Sequence, residues 1–423
     1  MKKVLIVTYY WPPAGGPGVQ RWLKFVKYLR DFGMEPIVYV PENPHYPIED
    51  STLEREVPKD IKILKQPLFE PYGLAKLFSS KKTKRISSGI IQTKNQSIAE
   101  KFMLWVRGNF FIPDARKFWV KPSVAYLSRV IEEEQIQTVI TTGPPHSVHL
   151  IGHQLKNAKS VKWVADFRDP WTSIGYHKKL KLTKASQKKH KNLEREVLNG
   201  ADQIVVTSAT TKKEFETLTS KPIEVITNGY DVGPAVEYSL DRNFTISHIG
   251  SLLTGRNPIN LWKTLSRLAS EDPVFRADLQ LEFMGVVSKD VMDSMYKNEL
   301  GPYIKMRGYG THTDAQRRQR QSQVLLLVEI DSQETKGIIP GKLFEYMAAK
   351  RPILAIGPKD WEVGQLIEET NSGVVFDYQD KDVLRNQILK WYAEFKKNRL
   401  VCPSKNIEQY SRQNLTAHLA QLL

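Results

Sequence analysis

The sequence predicts an α/β protein with two successive halves, each a parallel sheet flanked by helices. The chain has 423 residues, which is more than a single hydrophobic core usually organises. This length favours two domains of about 200 residues each. Short apolar runs also alternate with helical patterns in both halves, which is typical of doubly wound sheets. We expect domains at 1–235 and 243–405, and a C-terminal helix at 406–423 that packs back on the first domain.

The first half begins with a strand–loop–helix–strand unit. Residues 3–8 form an apolar strand pattern, residues 22–32 have helical spacing, and residues 36–40 form a second strand pattern. Such units are parallel and right-handed in almost all known cases. Gly15 and Gly16 lie in the connecting loop, where glycines allow a ligand to approach the backbone. The loop lacks the G-x-G-x-x-G spacing of a dinucleotide site, and a tight turn is the alternative interpretation.

Polar clusters follow two further strands of this half. His146 comes after the strand at 138–142, and an Asp-Phe-Arg-Asp cluster ends the strand that begins at 162. Ligands bind at the carboxyl ends of strands in open parallel sheets, so these clusters and the glycine loop are predicted to share one edge. A lone histidine is often structural, and Asp169 with Pro170 also fits a turn. The candidate residues at this edge are Gly15, Gly16, His146, Asp166, Arg168 and Asp169.

The composition excludes several classes of protein. A single cysteine, Cys402, excludes an intramolecular disulfide framework and a cysteine-based zinc site, and it is consistent with a reducing cytoplasm. No run of 18 apolar residues indicates a transmembrane helix. The first apolar run ends at Thr8 without a small-residue cleavage site, so we expect a strand there and not a signal peptide.

Residues 71–121 carry much of the net charge of +16, with eleven basic and two acidic residues. Aromatic and aliphatic residues lie between the basic ones, a combination that suits an anionic membrane surface or a lipid-linked acceptor. The alternative is an insertion that packs on its own domain. Nucleic acid is not a favoured partner, because no base-reading module is present. A second lysine-rich helix is predicted at 177–196, with its lysines on a solvent-exposed face.

The most informative stretch of the second half is 336–358. A loop with glycine and proline leads into a helical pattern that begins at Lys342 and ends before an apolar strand. A helix N-terminus directs N–H groups and the positive end of its dipole toward one point, which suits a phosphate. Lys342 in the first turn fits a bound anion, and Glu345 on the same face is suited to accept hydrogen bonds from sugar hydroxyls. The alternative is a buried helix with two ordinary surface charges.

Several motifs together resemble a known family. They are the Pro-Pro and Gly-Gly loop at 12–16 with Arg21, Gly-Pro-Pro-His-Ser at 143–147, Trp-Val-Ala-Asp-Phe-Arg-Asp-Pro-Trp at 163–171, Asn-Gly-Tyr-Asp at 228–231, Gly-Ser-Leu at 250–252 and Pro-Gly-Lys-Leu-Phe-Glu-Tyr-Met-Ala at 340–348. Over nearly its whole length the chain resembles the retaining glycosyltransferases of family 4. That family has the GT-B architecture, in which two Rossmann-like α/β/α domains face each other across a cleft.

The resemblance implies transfer of a sugar from a UDP- or GDP-sugar to an acceptor hydroxyl. It implies that Lys342 faces the donor diphosphate, Glu345 faces the ribose, and Arg256 is the second phosphate-binding cation. It also brings Gly15 and Gly16 close to the donor phosphates. His146 is the candidate for the sugar-contacting histidine of the family, and Asp166, Arg168 and Asp169 are candidates for positioning acceptor or donor hydroxyls. Two positions depart from many relatives: Gly337 stands where a glutamate helps to hold the donor sugar, and Ser251 stands where a basic residue is common.

The predicted chemistry needs cations at the leaving diphosphate, so neither a metal ion nor a cofactor is expected. The predicted partners are the nucleotide-sugar, a sugar or lipid-linked sugar acceptor, and an anionic membrane surface. By analogy with the family it resembles, the chain is expected to be an enzyme of cell-envelope polysaccharide or glycolipid synthesis, cytoplasmic and peripheral on the inner face of the plasma membrane. The alternatives are a nucleotide-sugar epimerase, an inverting transferase, or a non-catalytic basic protein that binds anionic lipid or nucleic acid.

Overall fold

The computed structural model describes residues 1–69, 98–233 and 238–423. They form two compact units, Met1–Asn228 with Arg412–Leu423, and Gly229–Ser411. The part of the predicted basic insertion from 71 to 97 lies outside the described residues. In the described part of the chain, no helix is long and apolar enough to cross a membrane.

The strands of the first unit form one parallel sheet in the order β3-β2-β1-β4-β5-β6-β7. The central strands β1, β4 and β5 are largely buried, which explains the apolar runs that predict them. The edge strand β3 was not predicted, because its residues are at most half-buried and it has no continuous apolar run. The strands are β1 (Lys2–Thr8), β2 (Met34–Pro41), β3 (Lys62–Gln66), β4 (Thr138–Gly143), β5 (Lys162–Phe167), β6 (Gln203–Val206) and β7 (Ile223–Val225).

The helices of the first unit cover its sheet. The predicted lysine-rich helix at 177–196 is in fact two helices, α5 and α6, and the predicted last helix begins only at Arg412, after a short 3₁₀ turn at Ile407–Tyr410. This C-terminal helix packs against α1. The helices are α1 (Pro17–Leu29), α2 (Ile98–Phe110), α3 (Lys117–Glu133), α4 (Ser147–Ala158), α5 (Gly175–Lys178), α6 (Lys184–Gly200), α7 (Ala209–Glu216) and, from the end of the chain, α15 (Arg412–Gln421).

The second unit contains another parallel sheet, in the order β10-β9-β8-β11-β12-β13. Its strands are β8 (Phe244–Ile249), β9 (Leu279–Met284), β10 (Ile304–Gly308), β11 (Val324–Val328), β12 (Ile353–Gly357) and β13 (Gly373–Asp377). Its helices are α8 (Ile259–Glu271), α9 (Pro273–Asp278), α10 (Lys289–Lys297), α11 (His312–Gln321), α12 (Lys342–Ala348), α13 (Glu362–Thr370) and α14 (Asp382–Lys396).

The parallel pairing places the functional loops of each unit at one edge of its own sheet. In the first unit Thr8 pairs with Thr142, and Thr142 pairs with Asp166. The ends of β1, β4 and β5 are therefore in register, as the sequence predicts. In the second unit β8 lies between β9 and β11, so the loops that follow these three strands are neighbours.

Candidate functional site

Asp166, a candidate catalytic residue, lies inside the first unit with its carboxylate fully engaged. Arg21 Nη2 donates to its Oδ1 at 2.9 Å, and Trp22 Nε1 and Thr142 Oγ1 each donate to its Oδ2 at 2.8 Å. Arg21 Nη1 donates in turn to the carbonyl oxygen of Thr227 at 2.6 Å. Asp166 is 1% exposed, so these contacts give it a structural role that ties α1 to β4 and β5.

Arg168 joins the three predicted loops at the sheet edge. Its Nε donates to the carbonyl oxygen of Gly143 at 3.2 Å, and its Nη2 donates to that of Pro144. Its guanidinium carbon lies 5.9 Å from the centre of the Tyr10 ring. A β-carbon at Gly18 would lie 1.6 Å from Nη1, so the side chain rests against the first turn of α1. The structure therefore brings the ends of β1, β4 and β5 together through Arg168.

Gly15 and Gly16 have structural reasons to be glycine. The N–H of Gly15 donates to the carbonyl oxygen of Ile48 at 3.0 Å, and an added β-carbon would lie 3.1 Å from the Ile48 side chain. Gly16 has φ +108°, which side chains rarely permit. Its carbonyl oxygen accepts from the N–H groups of Val19 and Gln20 at the start of α1. The tight-turn interpretation therefore accounts for both glycines, and their approach to donor phosphates stays a prediction.

A cavity of about 320 Å³ opens beside this edge in the first unit. Its volume lies at the lower end of the range for small-molecule sites, about 300–1,000 Å³. It combines apolar walls with a few polar groups, which is the usual composition of such sites. Its lining includes His146, Asp169, Trp171, His177, Arg107 and Arg116.

His146 is one of the buried polar residues that line this cavity. Its ring stacks on Trp171 at 4.7 Å between centroids with an interplanar angle of 4°. It is 4% exposed, and neither ring nitrogen has a hydrogen-bond partner among the described residues. Burial, reinforced by His149, lowers the pKa of His146 well below its usual value, so the ring is neutral at pH 7. A neutral imidazole presents one donor and one acceptor, which suits a ligand hydroxyl.

Asp169 and Asp114 contribute differently to the same cavity. Asp114 is engaged by the start of α4, because the N–H and Oγ of Ser147 donate to its two oxygens at 2.9 and 2.8 Å. Asp169 is half-buried and has no hydrogen bond to any described residue. Burial raises the pKa of Asp169, and the charge of Arg168 opposes this rise. Asp169 is thus the carboxylate that remains to bind a ligand.

In the second unit, Lys342 is the first residue of α12, and its side chain reaches the end of β8. Helix α12 buries Leu343, Phe344, Tyr346 and Met347, and this leaves Lys342 and Glu345 on its other side. Lys342 Nζ lies 3.2 Å from His248 Nε2. A β-carbon at Gly250 would lie 2.7 Å from the same Nζ, so the ammonium rests against bare backbone. Burial, with help from the charge of Arg256, lowers the pKa of Lys342 to about 8.

Arg256 lies in the loop after β8, and its charge contributes to the lowered pKa of Lys342. It forms an ion pair with Glu329 at 2.8 Å. Glu329 follows β11 and is 1% exposed, and its Oε1 also accepts from the N–H of Ile330 at 2.8 Å. Both predicted phosphate-binding cations therefore lie at the end of β8, and Arg256 is paired with a buried carboxylate.

Glu345, the predicted ribose-binding residue, is held by helix α11. Its Oε1 lies 3.1 Å from Nε2 of His312, and its Oε2 accepts from Nε2 of Gln319 at 3.0 Å. His312 and Gln319 lie 33 and 26 residues from Glu345 along the chain, so the sequence around Glu345 does not predict these contacts. Both oxygens of Glu345 are therefore already bound, and a ribose would share or replace these partners.

Sequence reasoning missed several residues at both sites. No recognised motif includes His248, Glu329, His312 and Gln319 in the second unit or His177 in the first. Trp171 belongs to the Trp163–Trp171 motif but was not singled out. Among residues 1–69, 98–233 and 238–423, no group of three His, Cys, Asp or Glu side chains is placed to hold a metal ion.

Residues 93–233 match the sequence model of Glycosyltransferase Family 4. No curated protein matches the sequence. Similar solved structures include a variant of S. aureus TarM in complex with Fondaparinux, alpha-GlcNAc-glycerol and UDP, with 13% identity, a TM-score of 0.60 and coverage of 100% of this chain and 99% of that one. WaaG, a glycosyltransferase involved in lipopolysaccharide biosynthesis, has 13% identity, a TM-score of 0.55 and 99% coverage of both chains.

A UDP-N-acetylglucosamine 2-epimerase from Listeria monocytogenes is also similar, with 13% identity, a TM-score of 0.56 and coverage of 99% of this chain and 95% of that one. At such identities these structures show the fold alone, and it is the GT-B fold with its two Rossmann-like α/β domains. The match to the family model adds the enzyme class. The chain therefore has a GT-B fold, and its residues 93–233 match the model of Glycosyltransferase Family 4.

Proposed function

We propose that the protein transfers a sugar, with retention of anomeric configuration, from a nucleoside-diphosphate sugar to an acceptor hydroxyl. The observation that carries this proposal is that the Lys342 ammonium packs against Gly250 at the end of β8, Arg256 lies in the loop that follows the same strand, and Glu345 is one helical turn from Lys342. This set provides two cations for a diphosphate and a carboxylate for ribose hydroxyls. The UDP bound in the similar TarM structure supports the same class of donor.

Departure of the nucleoside diphosphate is the step that these residues assist. When the glycosidic bond to the diphosphate breaks, the bonding electrons move to a phosphate oxygen, and the new negative charge needs nearby positive groups. Lys342 and Arg256 supply them without a metal ion. Retention on the front face of the donor needs no protein nucleophile, so we assign none.

The cavity of the first unit is proposed to hold the acceptor. His146 and Asp169 offer hydrogen-bonding groups that no described residue uses, and Trp171 with the surrounding apolar walls provides the contact surface. Asp166 is not included in this role, since its carboxylate is saturated inside the protein. Arg168 acts by shaping the loops around the cavity.

An epimerase is the alternative that the fold leaves open, because the Listeria enzyme shares the fold. The match to the glycosyltransferase family model over residues 93–233 favours transfer. That match covers the lining of the proposed acceptor cavity from Arg107 to Leu180, and Tyr10 is the lining residue outside it. An epimerase rearranges its own substrate and needs no second sugar.

We further propose that the acceptor is lipid-linked and that the enzyme works at the anionic inner face of the plasma membrane in cell-envelope synthesis. Phe102, Trp105 and Phe110 on α2 are 62%, 36% and 60% exposed. Arg107 from the same helix lines the cavity, so the exposed aromatic side chains lie next to the proposed acceptor site. The similarity to WaaG, an enzyme of lipopolysaccharide biosynthesis, supports an envelope pathway.

A thermal-shift screen with UDP, GDP and their sugars tests the donor class. A ligand at 100 times its dissociation constant stabilises the folded protein by about 2.7 kcal/mol, so the correct nucleotide should raise the unfolding temperature clearly. The matching nucleotide-sugar is then incubated with candidate acceptors, and the anomeric configuration of the product is read by NMR. Release of free nucleotide with an isomerised sugar and no acceptor product would identify an epimerase.

A further inference from the structure

Lys342 is held by a buried histidine that the proposed reaction does not itself use. Nδ1 of His248 lies 2.9 Å from the carbonyl oxygen of Leu326. A carbonyl can only accept, so Nδ1 carries the proton and Nε2 presents its lone pair. Burial, reinforced by the charge of Lys342, holds the pKa of His248 well below its usual range. The neutral ring therefore accepts a hydrogen bond at Nε2 from Lys342, 3.2 Å away.

This contact fixes where the ammonium lies. Gly250 follows β8 with φ +112°, and the ammonium occupies the space that its β-carbon would need. Tyr346, one turn after Lys342 on α12, accepts a hydrogen bond from the N–H of Ile249 at 2.9 Å. Helix α12 is thus tied to the end of β8 at two points, and the free motion of a long lysine side chain is restricted.

We propose that His248 is a positioning residue for donor binding, which fixes the ammonium of Lys342 over Gly250 where it meets the diphosphate. This inference rests on the proposed function of the second unit. Its importance is increased by two neighbours. Ser251, the next residue, is not basic, and Arg256 is already paired with Glu329. Diphosphate binding at this edge of the sheet therefore depends mainly on Lys342, so the position of its ammonium should affect donor affinity.

The charges around Lys342 predict a pH dependence. Burial and Arg256 lower its pKa, while Glu345 and Glu329 raise it, with a result of about 8. Since the protonated form binds a diphosphate, donor affinity should fall as the pH rises through about 8. If His248 no longer accepts from the ammonium, the charged form loses a stabilising contact and the fall should begin at lower pH.

Two amide substitutions separate the two hydrogen bonds of His248. The short His248→Asn amide can still donate to Leu326 but cannot reach Lys342, whereas the longer His248→Gln places an acceptor near the position of Nε2. Dissociation constants for UDP and GDP are measured by calorimetry from about pH 6.5 to about 9.5, a window that brackets the lowered pKa of Lys342 and ends below the ordinary lysine pKa of about 10.4. Circular dichroism confirms that each variant is folded.

A hydrogen bond to a charged group typically corresponds to a factor of about ten or more in affinity. His248→Asn is therefore expected to weaken nucleotide binding about tenfold and to move the alkaline fall to lower pH, and His248→Gln should recover most of both. In a Lys342→Ala background, His248→Asn should have little further effect, since its influence passes through the lysine.

The outcomes distinguish this inference from the proposed function. If the wild-type protein binds neither UDP nor GDP, the proposed function fails and the inference fails with it. If the wild type binds and Lys342→Ala weakens binding, the proposed function stands. The inference alone is overturned if His248→Asn then binds like the wild type, or if it weakens binding equally in the Lys342→Ala background.

Discussion

Asp166 and Asp169 are two aspartates of one motif with opposite surroundings. The resemblance to family 4 implies that both position hydroxyls, and both belong to the cluster at the end of β5. In the structure, Asp166 accepts from Arg21, Trp22 and Thr142, whereas Asp169 lines the cavity with no hydrogen bond to a described residue. Asp166 therefore has a structural role, and Asp169, three residues later, is a candidate for binding a ligand.

Replacing each aspartate by alanine tests this division. Asp166→Ala leaves Arg21 buried without its partner, and breaking a buried pair costs about 3–5 kcal/mol, so urea unfolding should show a large loss of stability. Asp169→Ala should change stability by less than about 1 kcal/mol while raising the KM for the acceptor or lowering the transfer rate. Equal stability losses in the two variants, with unchanged kinetics for Asp169→Ala, would contradict the assignment.

Helices α2 and α6 form one surface of mixed aromatic and basic character. Phe102 and Trp105 stack at 6.1 Å between ring centroids on α2. Asn109 at the end of α2 accepts from the N–H of Thr183, the N-cap of α6, at 2.8 Å, so the two helices are joined. Exposed lysines then recur along α6 at the spacing of one helical face, at Lys184, Lys188 and Lys191.

This surface predicts binding to anionic lipid. Each lysine near such a surface is worth about 1 kcal/mol, so replacing Lys184, Lys188 and Lys191 together by Gln should weaken co-sedimentation with phosphatidylserine vesicles about a hundredfold. The control is an equal loss of charge at exposed lysines of the second unit, Lys297, Lys305 and Lys390. If both triple variants bind vesicles like the wild type, the membrane proposal is wrong.

At the scale of the whole molecule, the alternation of strands and helices is visible in the sequence because buried parallel strands are continuous apolar runs. Edge strand β3 escaped this rule because it is only half-buried. Helix α7 has a weak apolar pattern with two buried residues and was also missed.

The candidate sites were predictable to different degrees. Lys342 and Glu345 lie in one local motif, so the phosphate and ribose ends of the donor site could be proposed from sequence. Their partners come from distant elements: His248 lies 94 residues from Lys342 along the chain. Such contacts depend on the order of the strands in the sheet, which a local sequence pattern does not predict. The saturation of Asp166 by α1 could not be foreseen for the same reason.

The central claim is that the second unit binds a nucleoside diphosphate through Lys342. Calorimetric titration of UDP and GDP into the wild type, Lys342→Ala and the exposed control Lys359→Ala tests it most directly. Loss of a charged contact should weaken binding by about ten- to a hundredfold in Lys342→Ala, with the control unchanged. Binding of equal strength by Lys342→Ala and the wild type, or no binding of either nucleotide by the wild type, would contradict the account.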